Sequence, residues 1–482
     1  MIVPTFKRAI MILAIALIFS LSGAARSYCD DYLQVAGLID LRTTYSDGEL
    51  GLESLVKLAR ERGFGIVCTN DHDRLAMEYG LFPFRNIIKK RVELNSINKG
   101  GAEKYLEGIR RVRNIYPDMV IIPGSETAPF YFWTGSYFKK DLTAHNHERR
   151  ILTIGMERPE DYRDLPILHN GLSTRYTSAF LPLILFFLVP FISGLVLLRW
   201  KGLWRVLGLI ISGLSLLFMI NAAPFRSSFF DQYHGDKGIR PYQQVIDYVD
   251  SRGGVTFWNY PETKSGVRKM GPIYVDTPPY PQVLNQSIGY TGFAALYGDN
   301  ITVTEPGREW DRALVEYCRG SRKRPVWGIS TADFHGEGLT GEKLGNFPTV
   351  FLVRKKTREE VLFAMRGGKM YACRAKYPQR MILNEFSVSS SKGQDRAISG
   401  DEIALKGRPR IRISLSSIEP FLNSITVRLI RSGRLVKTIK GHLPLKIDHE
   451  DDYYEPGKKL YYRMDATGCG NLVSNPVFVT FN

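Results

Sequence analysis

The sequence predicts an α/β fold: a barrel of alternating strands and helices, interrupted by a membrane hairpin and followed by a β-sandwich. Three observations predict it. Short apolar runs end repeatedly in polar residues able to bind metal, two long uncharged segments lie near the middle, and the tail changes to period-two alternation. At 482 residues the chain exceeds one ordinary domain, and 44% hydrophobic with 23% charged residues excludes both a disordered chain and a many-helix channel. Lys+Arg 65 against Asp+Glu 48 leaves a formal charge of +17, whose meaning depends on where the basic residues sit.

Residues 1–26 read as a signal peptide or N-terminal anchor. Lys7-Arg8 precede an uncharged stretch from Ala9 to Ala25, and Gly23 and Ala25 have the spacing of a signal-peptidase site. Either outcome places the following residues outside the cytoplasm. Residues 27–177 then form the first half of the barrel. Val35 to Leu41 is a strand leading through Asp40 to Thr44-Tyr45-Ser46-Asp47-Gly48; Leu52, Leu55, Val56 and Ala59 recur at helical spacing. Phe64 to Cys68 runs into Asn70-Asp71-His72-Asp73, and Met119 to Ile122 breaks at Pro123-Gly124 and delivers Glu126.

Residues 178–225 form a transmembrane hairpin. Ser178 to Leu198 carries no charge for 21 residues and Val206 to Phe225 none for 20, each enough to cross a bilayer core. Arg199, Lys201 and Arg205, with Trp200 and Trp204, mark the connecting turn as cytoplasmic. A hairpin keeps both flanks on one side, so the barrel resumes outside over 226–380. There Tyr242 to Val249 is helical, Gly254 to Trp258 is a strand ending in Asn259-Tyr260, and Pro325 to Ile329 ends in Asp333-Phe334-His335. Alternate residues at a strand end share a side, so Asp333 and His335 are expected to share one ion. Residues 381–482 alternate at Ile411, Ile413 and Leu415 and again at Ile425, Val427 and Leu429, the pattern of an Ig-like β-sandwich module. The five cysteines, Cys29, Cys68, Cys318, Cys373 and Cys469, lack any C-x-x-C spacing, which excludes a zinc ribbon.

The motif order resembles the polymerase and histidinol phosphatase (PHP) family of metal-dependent phosphoesterases over about 35–177 and 240–375. The family's H-x-H-[ST]-x-x-S-D-G opening falls on Asp40 to Gly48, T-D-H-D on Asn70 to Asp73, P-G-x-E on Pro123 to Glu126, and the closing D-x-H on Asp333 to His335. This resemblance implies a distorted (β/α)7-type barrel. It also implies one or two divalent ions (Zn, Mn or Fe) held by Asp47, His72, Glu126, Asp333, His335 and Asp40, which would activate a water for phosphate-ester hydrolysis.

The sequence departs from that pattern at four positions. The H-x-H has become Asp40 and Arg42, the histidine of A-H-P is Tyr260, and the histidine before Ile151-Leu152 is Arg150. A guanidinium has no lone pair to give a metal, but it binds phosphate bidentately. His145 or His147 is positioned to reach in from the preceding loop. Two readings follow. One is an exported, membrane-tethered phosphoesterase with a reduced metal cluster, in which Arg42, Arg150, Tyr260 and Trp258 contact the substrate. The other is a catalytically degenerate domain that binds a ligand or partner. The expected partners are the lipid bilayer and a phosphorylated small molecule or other anionic ligand. Nucleic acid is not expected, because the basic residues form no single stripe.

Overall fold

A computed structural model describes residues 32–482, apart from 264, 300, 339–342 and 391–394. The export signal expected over 1–26 and Cys29 lie outside the described residues; Cys68, Cys318, Cys373 and Cys469 form no disulfide.

Seven strands lie side by side in chain order as a curled sheet: β1 (Leu33–Leu41), β2 (Ile66–Thr69), β3 (Val120–Thr127), β4 (Arg150–Ile154), β5 (Val255–Asn259), β6 (Gly292–Leu296) and β7 (Trp327–Ser330). The segment after β7 returns to β1. Ala332 donates its N–H to the Ile39 carbonyl at 3.1 Å, Phe334 to Asp40 at 3.1 Å, and Arg42 to Phe334 at 2.9 Å. Strands β8 (Pro348–Val353) and β9 (Met370–Arg374) continue from the first half of β1 by antiparallel pairing. Helices cover the outside: α1 (Leu52–Glu61) buries Leu52, Leu55, Val56 and Ala59, and α2 (Ala102–Ile115) buries Ala102, Tyr105, Leu106, Ile109 and Val112. Those spacings place each apolar set on one helical face, against the sheet.

The expected alternation of strand and helix is corrected at β4. It runs antiparallel to both β3 and β5, whereas β1–β2, β2–β3, β5–β6 and β6–β7 are parallel. No helix lies between β3 and β4. Without a crossover helix the chain returns through the short strands Phe132–Thr134 and Thr143–His145 and re-enters in the opposite direction. Consequently Arg150, the first residue of β4, pairs with Asn259, the last of β5.

Helices α3 (Thr177–Leu197) and α4 (Leu203–Ala222) are long and apolar enough to cross a membrane. They form an antiparallel hairpin whose ends return together, the Thr177 hydroxyl donating to the Pro224 carbonyl at 3.4 Å. Only small residues are buried in this pair: Gly194 on α3, and Gly208, Ser212, Ser215 and Ala222 on α4. A Cβ on Gly194 would lie 2.6 Å from Ser212 Oγ, so the absent side chain sets the close helix approach. After the hairpin, α5 (Arg240–Ser251) leads into β5.

The C-terminal region is all β. A four-stranded sheet (Arg396–Ile398, Met381–Ser390, Pro409–Ser417, Leu445–Glu450) shares one apolar core with Ile425–Arg431, Lys459–Thr467 and Val477–Phe481. That second layer is no separate sheet: Asn471–Ser474 pairs antiparallel with β9, so the curled sheet runs unbroken into the tail.

Candidate functional site

The polar residues expected at strand ends are gathered by local backbone devices. β1 carries a register shift between Leu38 and Leu41, and Asp40 has φ 70°, a left-handed conformation uncommon for a non-glycine residue. Tyr260 (φ 45°) and Asp333 (φ 47°) share this conformation at the ends of two other strands. Such strain costs roughly 1–3 kcal/mol each and persists where surrounding contacts fix it. The loop after β1 is clamped by buried Asp71, which accepts from Thr43 N–H at 2.7 Å, Thr43 Oγ1 at 2.8 Å and Ser46 Oγ at 2.7 Å. Gly48 closes the loop on Arg42: a Cβ there would lie 2.5 Å from the Arg42 carbonyl carbon and oxygen. Asp47, between these anchors, faces the pocket.

Two guanidinium groups occupy the centre. Arg42, 1% exposed, places Nη1 2.6 Å from Asp40 Oδ1 and Nη2 2.7 Å from Glu126 Oε2 and 3.3 Å from Asp333 Oδ1. It also donates to the Asn70 carbonyl. Arg150 binds the same Glu126 oxygen and lies 3.1 and 3.2 Å from the two ring nitrogens of His72. Asn259 bridges the carboxylates, donating to Asp40 Oδ2 at 2.9 Å and Glu126 Oε1 at 2.8 Å, and Tyr260 donates its hydroxyl to Asp40. Burial by itself would raise the Glu126 carboxyl, yet Arg150 and Arg42 hold it down at about 2. Burial and the Arg150 charge together push the His72 imidazole below its usual value.

On the open side, Asp47 Oδ2 lies 3.2 Å from His72 Nε2 and 3.3 Å from His335 Nε2. Against the effect of burial, the His335 and His72 contacts hold Asp47 well below the usual carboxylate range. A cavity of about 370 Å³ opens here, its walls formed by Asp47, His72, Glu126, Arg150, Tyr260, Asp333 and His335 together with Glu148, Thr263, Ser265, Arg268 and Tyr280.

Asp40, Arg42, Asp47, His72, Glu126, Arg150, Tyr260, Asp333 and His335 thus converge. Trp258 does not. It is fully buried with its indole N–H on Ser287 Oγ at 2.9 Å and its ring 5.4 Å from Tyr242 of α5, so the expectation that it lines the pocket is corrected. Asp333 and His335 lie together on the cavity wall, with His335 Nδ1 2.8 Å from the Asp333 carbonyl, but their side chains take different partners beyond the end of β7: Asp333 turns to Arg42 and His335 to Asp47. His145 is tied to Asp276 at 3.1 Å and to Thr134 at 2.8 Å, and neither it nor His147 lines the cavity. Asn259, Asn70 and Asp71 are participants that sequence reasoning missed. Asn70 and Asp71 stood inside a quoted motif; Asn259 gave no signal beyond ending a strand.

These residues do not fit the expected metal cluster. The positive charge that would balance Asp40, Glu126 and Asp333 is supplied by a guanidinium, and a second guanidinium faces both nitrogens of His72. Among the described residues no group of three or more His, Cys, Asp or Glu side chains is arranged to hold a metal ion.

The fold and centre define an α/β protein with a curled sheet, a polar cluster at its strand ends and a β-rich C-terminal region. The chain is similar to a two-domain protein from Bacteroides vulgatus that contains a predicted PHP-like metal-dependent phosphoesterase, at 8% identity and TM-score 0.37, covering 91% of this chain and 92% of that one. It is also similar to a protein from Bifidobacterium adolescentis whose proposed activity is that of a metal-dependent phosphoesterase, at 15% identity and TM-score 0.30, covering 64% of this chain and 91% of that one. No protein-family model and no curated protein matches the sequence.

Proposed function

We propose that the chain is a PHP-like (β/α)7-type domain, tethered to the cell membrane on its extracytoplasmic side, that binds a phosphorylated small molecule or another anionic ligand without metal. The carrying observation is the pair of guanidinium groups held on Glu126: Arg150 lines the cavity, whereas Arg42, expected as a substrate contact, is buried behind it and does not. Buried Arg42 neutralises the carboxylates, and Arg150, Arg268, Thr263, Ser265 and Tyr260 line a cavity of about 370 Å³, the size of a small-ligand site. Guanidinium groups suit tetrahedral oxyanions because their donors are planar and paired. Such a site offers paired donors to a phosphate group, and guanidinium supplies the positive charge that a divalent ion would otherwise bring beside Glu126.

A second reading, hydrolysis of a phosphate ester with one retained ion, rests on the two imidazoles beside Asp47. Its contacts of 3.2 and 3.3 Å to two imidazole nitrogens are hydrogen-bond distances, which a retained ion would have to replace.

Elemental analysis of the purified full chain, with titration by inorganic phosphate and by a generic phosphate monoester, separates these readings. Binding without metal predicts less than one ion per chain, a thermal midpoint raised by phosphate, no ester hydrolysis, and loss of the shift in Arg150→Gln. One ion per chain, with phosphate release abolished by His335→Ala, would establish the second reading. Neither a midpoint shift nor hydrolysis would overturn both.

A further inference from the structure

The strands Ala76–Gly80 and Lys89–Glu93 form an antiparallel hairpin that takes no part in the site, and its tip is apolar. Phe82 is 82% exposed, Ile88 53% and Ile87 37%. Single exposed apolar residues are ordinary, but a cluster at one loop end marks a contact surface. Basic residues flank this cluster: Arg85, Lys89, Lys90 and Arg91 fall within seven positions. Lys90 and Arg91 are exposed, although Lys89 also pairs with Glu78 at 3.0 Å and Arg91 with Glu93 at 2.9 Å.

The tip is fixed to the end of α4. Asn86 donates its backbone N–H to Asn221 Oδ1 at 2.9 Å and its amide to the Asn221 carbonyl at 2.7 Å; Asn221 donates to the Pro83 carbonyl at 3.0 Å. Phe84 packs on Phe218 of α4 with ring centres 5.1 Å apart, and Phe218 stacks on Phe187 of α3 at 5.0 Å. Phe218 precedes Asn221 by about one turn, roughly 5 Å along the helix axis. The hairpin tip is therefore held level with the last turn of an apolar helix, a depth matching the headgroup and acyl boundary occupied by interfacial segments.

We propose that residues 81–92 are a second contact with the bilayer, in which Phe82, Ile87 and Ile88 enter the acyl boundary and the basic residues meet anionic headgroups. The inference rests on the membrane-tether reading above. A helix hairpin alone leaves the attached domain free to tilt; a second contact, set beside it, fixes the domain's orientation to the membrane surface. Juxtamembrane lysine and arginine favour anionic leaflets for electrostatic reasons.

The test uses the full chain in nanodiscs, with Phe82→Cys and Leu209→Cys variants each carrying an environment-sensitive fluorophore, corrected for labelling of the unsubstituted protein. Lipids bearing a quencher at a shallow or a deep acyl position report depth. Expected is loss of most emission at 82 with the shallow quencher and at 209 with the deep one. Replacing anionic by neutral lipid should red-shift the label at 82 and leave that at 209 unchanged. Quenching at 209 alone would overturn the second contact while leaving the tether standing. No quenching at either position would overturn the tether and the contact together. Quenching at 82 with no dependence on anionic lipid would overturn the headgroup interaction.

Discussion

Arg42 is the residue on which the centre depends. Taking a guanidinium out of water costs several kcal/mol, and here three carboxylates and a carbonyl offset that cost. Arg42→Met leaves Asp40, Glu126 and Asp333 without their shared cation, and denaturant unfolding should show a loss of roughly 3–5 kcal/mol. The double variant Arg42→His, Arg150→His removes both fixed cations and supplies imidazoles beside Glu126 and His72. It should take up zinc or manganese above the wild-type level by elemental analysis. Two groups each contribute a loss of stability in acid. Burial, reinforced by Arg91, Lys89 and Arg74, pushes the His169 imidazole down from 6.5 to about 3, so the unfolded state takes up this proton first and stability falls as pH drops below 6.5 toward 3. Glu126, held at about 2 against 4.5, adds a loss between pH 4.5 and 2. His335 is shifted upward, mainly by Asp47 against the effect of burial, and acts in the opposite sense: its contribution is present below 6.5 and lost as pH rises. Burial raises the Asp73 carboxyl to about 7 and the Asp333 carboxyl to about 6, which opposes these losses between pH 7 and 4, so the His169 share is read as a difference: the thermal midpoint of the protein minus that of His169→Gln should fall as pH drops from 7 to 3.

At the scale of elements, strands and their termini were legible because apolar runs ended in polar residues at one end of the sheet. Direction was not. The run Ile151 to Ile154 reads identically parallel or antiparallel, and only the missing crossover helix decides that Arg150 starts β4 beside Glu126. Period-two alternation separates Trp258 from Asn259: the indole faces α5 and the amide faces the centre, so adjacent residues belong to different layers. A carboxamide bridging two carboxylates has no spacing signature, which is why Asn259 escaped notice. The helix hairpin depends on small residues. Gly208→Ile places a side chain where even an added Cβ would lie 2.7 Å from the Gly194 carbonyl oxygen, whereas a Cβ on Gly213 would meet nothing within 4 Å. In detergent, Gly208→Ile should lower the thermal midpoint by several degrees and Gly213→Ile should leave it nearly unchanged.

Across the whole molecule, the curled sheet and the C-terminal layers are locked by a buried ion pair. Arg463 is 0% exposed and binds Asp311 with Nε at 2.7 Å and Nη2 at 2.8 Å, while Tyr461 donates to the same carboxylate at 2.7 Å. Asp311→Ala strands this guanidinium, and equilibrium unfolding should register a loss of roughly 3–5 kcal/mol. The alternation at Ile411, Ile413 and Leu415 made the β-rich tail legible, but its partner was not. Cys373 lies opposite Leu472, and no local pattern encodes a pairing between residues so distant in the chain.

The shared strand pairing between β9 and Asn471–Ser474 has a mechanical meaning. The two ends of the protein are not beads joined by a string: a force applied at the C-terminus would have to shear backbone ladders before it could extend any linker. For the same reason, a stop codon after residue 380 would not release a compact half-molecule. It would bare a row of unpaired amides and carbonyls along β9 together with the apolar surface of Val350, Leu352 and Tyr371, a ready template for association with other chains.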